Sequence, residues 1–168
     1  MREVLYIIGI FRSVLEEALS VQKELPEQIL YLQPHKSHRI KKLAEKPPTP
    51  ETPVTLLAST TDDLNTVQYT AEVVAWRDKR KLESRKKELL DDLIKTLQPE
   101  ETGLYLKANG SECVNLLSIR NLRKLPEPFP IKEMVNARDG STPGERTQPG
   151  GWMYIQPSSV PDRVFHHQ

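Results

Sequence analysis

Val54-Thr55-Leu56-Leu57-Ala58-Ser59, a turn at Thr61-Asp62-Asp63-Leu64-Asn65, and then Val67-Gln68-Tyr69-Thr70-Ala71-Glu72-Val73-Val74-Ala75-Trp76 form the stretch that decides the fold. The first run has the apolar, β-branched character of a strand. In the second, Val67, Tyr69, Ala71, Val73 and Ala75 alternate with Gln68, Thr70 and Glu72, the period-2 pattern of a half-buried strand. The Asx-rich turn between them brings the two runs back on each other.

Downstream, Leu82, Leu89, Leu90, Leu93, Ile94 and Leu97 recur at helical spacing in a charged background. They predict an amphipathic helix over 81–97 that lies on a sheet and ends at Pro99. Residues 113–120 read as a further strand, and Leu125-Pro126-Glu127-Pro128-Phe129-Pro130 as a rigid extended joint leading to a short turn of helix near 131–136. The segment 139–151 holds four of the seven glycines together with Pro143 and Pro149, and reads as a mobile loop. In the closing strand, Trp152 to Gln156, alternation puts Met153 and Ile155 on one face and Trp152 and Tyr154 on the other.

Upstream, Lys46 to Pro53 carries four prolines and predicts an extended connector. Before it, 34–46 is strongly basic, with His35, Lys36, His38, Arg39, Lys41, Lys42 and Lys46 against Glu45. Gln28 to Gln33 reads as a short strand, and Ser13 to Glu24 as a helix with Ser13 and Glu16 as a capping box and Pro26 as its stop. Residues 3–10 fit either a buried strand or the start of a helical stripe.

With 168 residues, 37% apolar and 28% charged, and a mean hydropathy of −0.55, the chain has the size and composition of one globular domain. Within it we distinguish a helical N-terminal segment (residues 1–46), a connector (47–53), a barrel segment (54–156) and a tail (157–168). The net charge of +1 leaves any nucleic-acid affinity to a local basic face. Cys113 is the only cysteine, which excludes an intramolecular disulfide and a Cys-rich zinc site. The apolar run Val4 to Phe11 is far shorter than the roughly 20 residues of a spanning helix and lacks a cleavage site after it. A cytoplasmic protein without membrane contact, metal or cofactor is the expectation.

The run 54–59, the run Tyr69 to Trp76, and Val114-Asn115-Leu116-Leu117-Ser118-Ile119-Arg120 followed by Leu125-Pro126-Glu127-Pro128-Phe129-Pro130-Ile131 resemble, in this order, the PUA-like superfamily, and within it the EVE and ASCH branches. The resemblance covers about 54–156 and rests on strand-shaped patterns. It implies an α+β fold built on a small mixed β-barrel with flanking helices, whose concave mouth accepts a nucleobase, commonly a modified or flipped-out one.

For such a mouth, Trp76, Trp152 and Tyr154 are the candidate stacking wall, each with core packing as its alternative. An aromatic face is worth about 1–3 kcal/mol per stacked base. Ser59, Thr60, Asp62, Asn65 and Asn115 are candidate readers of the base edge, Ser59 and Asn115 being preferred; the Asx residues serve equally well as turn formers. Candidate phosphate holders are Lys36, Arg39, Lys41 and Lys42, then Arg77, then Arg120 and Arg123, with Arg146 in the glycine-rich loop.

No G-x-S-x-G elbow, H-E-x-x-H pair, P-loop or G-x-G-x-x-G is present. What the resemblance implies is a nucleic-acid reader, with modified DNA, as in restriction and defence systems, slightly ahead of RNA, and with a separate catalytic partner protein as an option. An ASCH-like hydrolase or ribonuclease and a protein-interaction domain are the alternatives.

Overall fold

A computed structural model describes residues 2–34, 38–101, 114–143 and 151–166. Its elements are β1 (Val4–Ile10), α1 (Arg12–Glu24), β2 (Leu30–Leu32), α2 (Lys41–Glu45), β3 (Val54–Thr60), β4 (Thr66–Asp78), α3 (Ser84–Leu97), β5 (Asn115–Pro130) and β6 (Trp152–Ile155). Six strands form one mixed sheet in the order β2-β5-β4-β3-β1-β6. Among the described residues only the β1–β3 pairing is parallel. The α+β class is thus present, but the sheet is open, with β2 and β6 at its edges, and does not close into the expected barrel.

Every residue of β1 and β3 is buried, so these central strands read as continuous apolar runs instead of alternating ones. That resolves the N-terminal ambiguity in favour of a strand. Leu5 and Ile7 enter one core with Leu56, Ala58, Tyr69, Ala71, Val73, Leu117 and Ile119, covered by Val14, Leu15 and Ala18 of α1 and by Ile40 and Leu43 around α2. Val4, Tyr6 and Ile8 face the opposite core, where Leu57, Val67, Leu125, Phe129, Ile131, Met134, Ile155, Val160 and Val164 pack. The C-terminal turns are therefore the cover of the second face.

Helix α1 begins directly after β1 with Phe11 as its N-cap and no side-chain cap, so the expected Ser13/Glu16 box is not formed. Glu16 is engaged elsewhere, its carboxylate accepting a hydrogen bond from the Tyr69 hydroxyl. The Pro-rich joint is not a separate element either. Residues 125–130 continue β5, whose 16 residues pair along the 13 of β4. Pro126, Pro128 and Pro130 are tolerated because β2 pairs only with 117–119, which leaves this half of β5 as an edge on its outer side. The ladder shifts register three times, and Asn121 at one shift has φ 53°, a left-handed conformation that Asn tolerates.

Both sheet edges are blocked, by different means. On β2, Gln98 acts as a surrogate strand: its Oε1 accepts from Tyr31 N and its Nε2 donates to Tyr31 O, both at 2.8 Å. Glu101 Oε1 accepts from Gln33 N at 2.7 Å. Beneath them the buried Lys79 ammonium donates to Gln33 Oε1 at 2.9 Å and pairs with Asp91. Helix α3 packs Ile94 and Leu90 on Tyr31 and Leu116, at the β2–β5 end of the sheet. On β6, the segment 135–137 bonds the free edge, with Ala137 N donating to Tyr154 O at 2.9 Å and Gln156 N to Val135 O at 2.8 Å.

Glu101 is fully buried, and burial, with a smaller contribution from the charge of Glu17, pushes its carboxyl up to about 8; Gln33 N–H and Lys79 oppose the rise. The folded chain therefore keeps a proton that the unfolded chain releases near its ordinary value of 4.5. Stability is greatest below that value and falls as pH rises toward about 8, by at most about 1.4 kcal/mol per pH unit from this group. In urea titrations between pH 5 and 8.5, Glu101→Gln should flatten this decline; an unchanged pH slope in the variant would show that the group does not carry it.

Candidate functional site

Strand β6 has only four residues, and Leu43 of α2 shares a core with Tyr154, so α2 stands on the same side of the sheet as this ring. The result is a groove of about 770 Å³ lined by Ile8, Lys41, Lys42, Glu45, Asn136, Ala137, Arg138, Gly151, Trp152, Met153 and Tyr154. Its floor is Trp152 and Tyr154, whose rings stand edge to face at 87° with centroids 6.3 Å apart. Trp152 is half-buried, whereas Tyr154 is only 7% exposed. Lys42 Nζ sits 4.6 Å above the Tyr154 ring, a cation–π contact, and 3.7 Å from Glu3. The Tyr154 hydroxyl is buried without a hydrogen-bond partner among the described residues, and burial first, then the charge of Glu3, raises its pKa.

Local chain geometry explains the walls. Ile8 N donates to Gly151 O at 2.8 Å, and a Cβ at Gly151 would stand 3.2 Å from Ile8 Cδ1, so only a glycine passes this close to β1 without displacement. On the outer wall Asn136 Oδ1 accepts from Arg138 N at 2.9 Å, Asp139 Oδ1 accepts from Ser141 N at 3.0 Å, and Gly140 supplies φ 72°. These Asx contacts fix the turn that presents Arg138, whose side chain is 85% exposed.

Of the residues expected to act, Trp152, Tyr154, Lys41 and Lys42 meet in this groove. Trp76 and Asn115 do not. The Asn115 amide is fully buried and works as a tether: Oδ1 accepts from Ile40 N and from Trp76 Nε1, each at 2.9 Å, and Nδ2 donates to His38 O at 2.6 Å. Ser59 is likewise used internally, since its Oγ accepts from Tyr6 OH at 2.8 Å and from Gly9 N at 3.0 Å. Thr60 and Asp62 belong to a separate network in which Arg12 grips Asp62 through two bonds of 2.9 and 3.0 Å and reaches Gln68 at 2.9 Å. The Arg12 bonds hold the Asp62 carboxyl down at about 2. Asn65 serves the turn, its N donating to Asp63 Oδ1 at 3.2 Å and its O accepting from Ile131 N at 3.0 Å.

The expected cation clusters do not converge. Arg120 donates to Glu72 Oε1 at 2.9 Å and to Pro50 O at 2.8 Å, and Arg123 donates to Val164 O at 2.6 Å, so both pin chain segments together. Arg77, at the end of β4, and Arg39, ahead of α2, are exposed but do not line the groove. Lys36, Arg146, His35 and Cys113 lie outside the described residues. Asn136 and Arg138 were not foreseen; the available signal was Asn136-Ala137-Arg138-Asp139-Gly140, a turn sequence carrying a cation.

Among the described residues no group of three or more His, Cys, Asp and Glu could hold a metal ion, and no helix is long and apolar enough to cross a membrane. No protein-family model matches the chain, and neither a curated protein nor a solved structure does.

The structural role of Asn115 is open to a direct check. Asn115→Ala strips partners from a buried Ile40 N–H and from the Trp76 indole, and should cost about 2–4 kcal/mol in chemical unfolding. A loss below about 0.5 kcal/mol would mean that the tether is dispensable.

Proposed function

We propose that the chain is a nucleic-acid reader that stacks one base on Trp152 and holds the adjoining phosphates with Lys41, Lys42 and Arg138. The observation that carries this reading is a half-buried indole on the floor of a groove whose walls are cationic. An aromatic face accepts any base, and the cations supply the salt-sensitive part of the affinity. The groove is large enough for a base lifted out of a helix, which makes an extruded base the natural ligand, with modified DNA preferred over RNA. The PUA-like relationship remains part of the proposal, in a form whose sheet stays open and is capped at both edges.

Fluorescence anisotropy with plain, methylated and hydroxymethylated oligonucleotides at several salt concentrations tests the reading. Three groove cations should give a slope of about −2 to −3 in log K against log salt. Trp152→Ala should weaken binding about 10- to 100-fold, whereas Arg120→Gln should leave affinity unchanged. Absence of binding to every oligonucleotide would overturn the proposal in favour of a protein-interaction role.

A further inference from the structure

The groove cations stand on two different walls. Lys41 and Lys42 belong to α2, which is seated on the core face of the sheet by Leu43. Arg138 follows directly on the segment that bonds the outer edge of β6. The Trp152 ring lies on the floor between these walls.

The stacking surface is single. Tyr154 is turned 87° from Trp152, and Lys42 occupies its face, so two successive bases have no pair of parallel rings on which to stack.

The polar groups around the Trp152 ring are chiefly donors. A backbone N–H can only donate, so the bond from Arg138 N fixes Asn136 with Oδ1 toward the turn; Nδ2 is left 4.0 Å from the weak thioether acceptor of Met153. Among the described residues Glu45 is the one acid in the lining, 3.9 Å from Lys41. Each groove cation faces a resident carboxylate within 4 Å, Lys41 with Glu45 at 3.9 Å, Lys42 with Glu3 at 3.7 Å and Arg138 with Asp139 at 3.6 Å, in exposed pairs that contribute little, so a phosphate at either wall can take the place of the resident acid.

Resting on the reading above, we propose that the site takes an internal nucleotide of a chain, with one phosphate on the 5′ side of the stacked base at one wall and one on the 3′ side at the other. A nucleotide whose phosphates all lie on one side would engage the cations of one wall and leave those of the other to their resident carboxylates. The substrate class is accordingly a continuous strand, and not a free nucleotide or a strand end.

The test is competition against a labelled oligonucleotide by thymidine 3′,5′-bisphosphate and by thymidine 5′-diphosphate, which place two phosphates on opposite sides or on one side of the nucleoside. Because the bisphosphate carries roughly one more negative charge, thymidine 5′-triphosphate is the charge-matched one-sided control and should compete no better than the 5′-diphosphate. The 3′,5′-bisphosphate should compete about tenfold better, the worth of one charge-assisted contact. Arg138→Gln, and separately the pair Lys41→Gln with Lys42→Gln, should each bring it down to the level of the 5′-diphosphate, with thermal melting confirming that the variants fold. Equal competition by the two nucleotides in the native chain would overturn the two-wall arrangement while Trp152-dependent oligonucleotide binding left the reader intact. Oligonucleotide binding that Trp152→Ala does not weaken would instead overturn the reading itself, and this inference with it.

Discussion

The structure depends on β1 having no solvent face. A strand buried on both sides and paired on both edges needs two cores and two neighbouring strands, and the chain is laid out to provide them. The helices α1 and α2 roof one face, while the residues after β5 fold back as short turns to roof the other. The β1–β3 pairing is parallel because the chain leaves β1 through α1, runs as β2 along the far edge of the sheet, crosses back through α2 and returns beside β1 as β3. The C-terminal turns, which look like a tail in the sequence, belong to the core through Val160 and Val164.

An open sheet with two buried faces must also dispose of its edges, since unpaired strand backbone invites further pairing. The solutions here seal one edge with side chains and leave the other bordered by a groove. On β2 the side chains of Gln98 and Glu101 take the place of a neighbouring strand, and the cost is a carboxyl that cannot be solvated. On β6 the neighbour is real backbone, 135–137, and because the chain turns away immediately afterwards it leaves Arg138 standing beside Trp152. The groove is thus a by-product of edge closure, with the aromatic floor given by strand alternation and the outer wall by the capping turn.

How far the sequence disclosed this can be judged residue by residue. Alternation places Tyr69, Ala71 and Val73 on one core face and Trp152 with Tyr154 on the same side of the sheet, but Val67, which the pattern groups with the first three, packs in the opposite core because the ladder shifts register between 67 and 69. The same rule was silent on β1, where both sides are apolar, and was misread at 125–130, where prolines suggested a joint although an edge strand tolerates them. Barrel closure was beyond reach because it depends on whether β2 meets β6, a contact between segments far apart in sequence. Of the site, Trp152, Tyr154, Lys41 and Lys42 were legible; Asn136 and Arg138 were not, since their position depends on a backbone pairing and not on local pattern.

Electrostatics shows why counting cations overstates a binding face. The chain is close to neutral, and among the described residues several of its cations have internal duties. Arg12 is committed to Asp62, Arg120 to Glu72, Arg123 to a carbonyl, and the buried Lys79 to Asp91. A guanidinium already donating to a carboxylate or a carbonyl has fewer hydrogen bonds to offer a phosphate, and a new anion would have to compete with the old one. Lys41 and Arg138 are held less firmly, by partners at 3.9 and 3.6 Å on exposed side chains, and exposed pairs of this kind contribute little. What distinguishes the groove is therefore the weakness of its internal pairing: it gathers cations that an incoming anion can recruit without dismantling the fold.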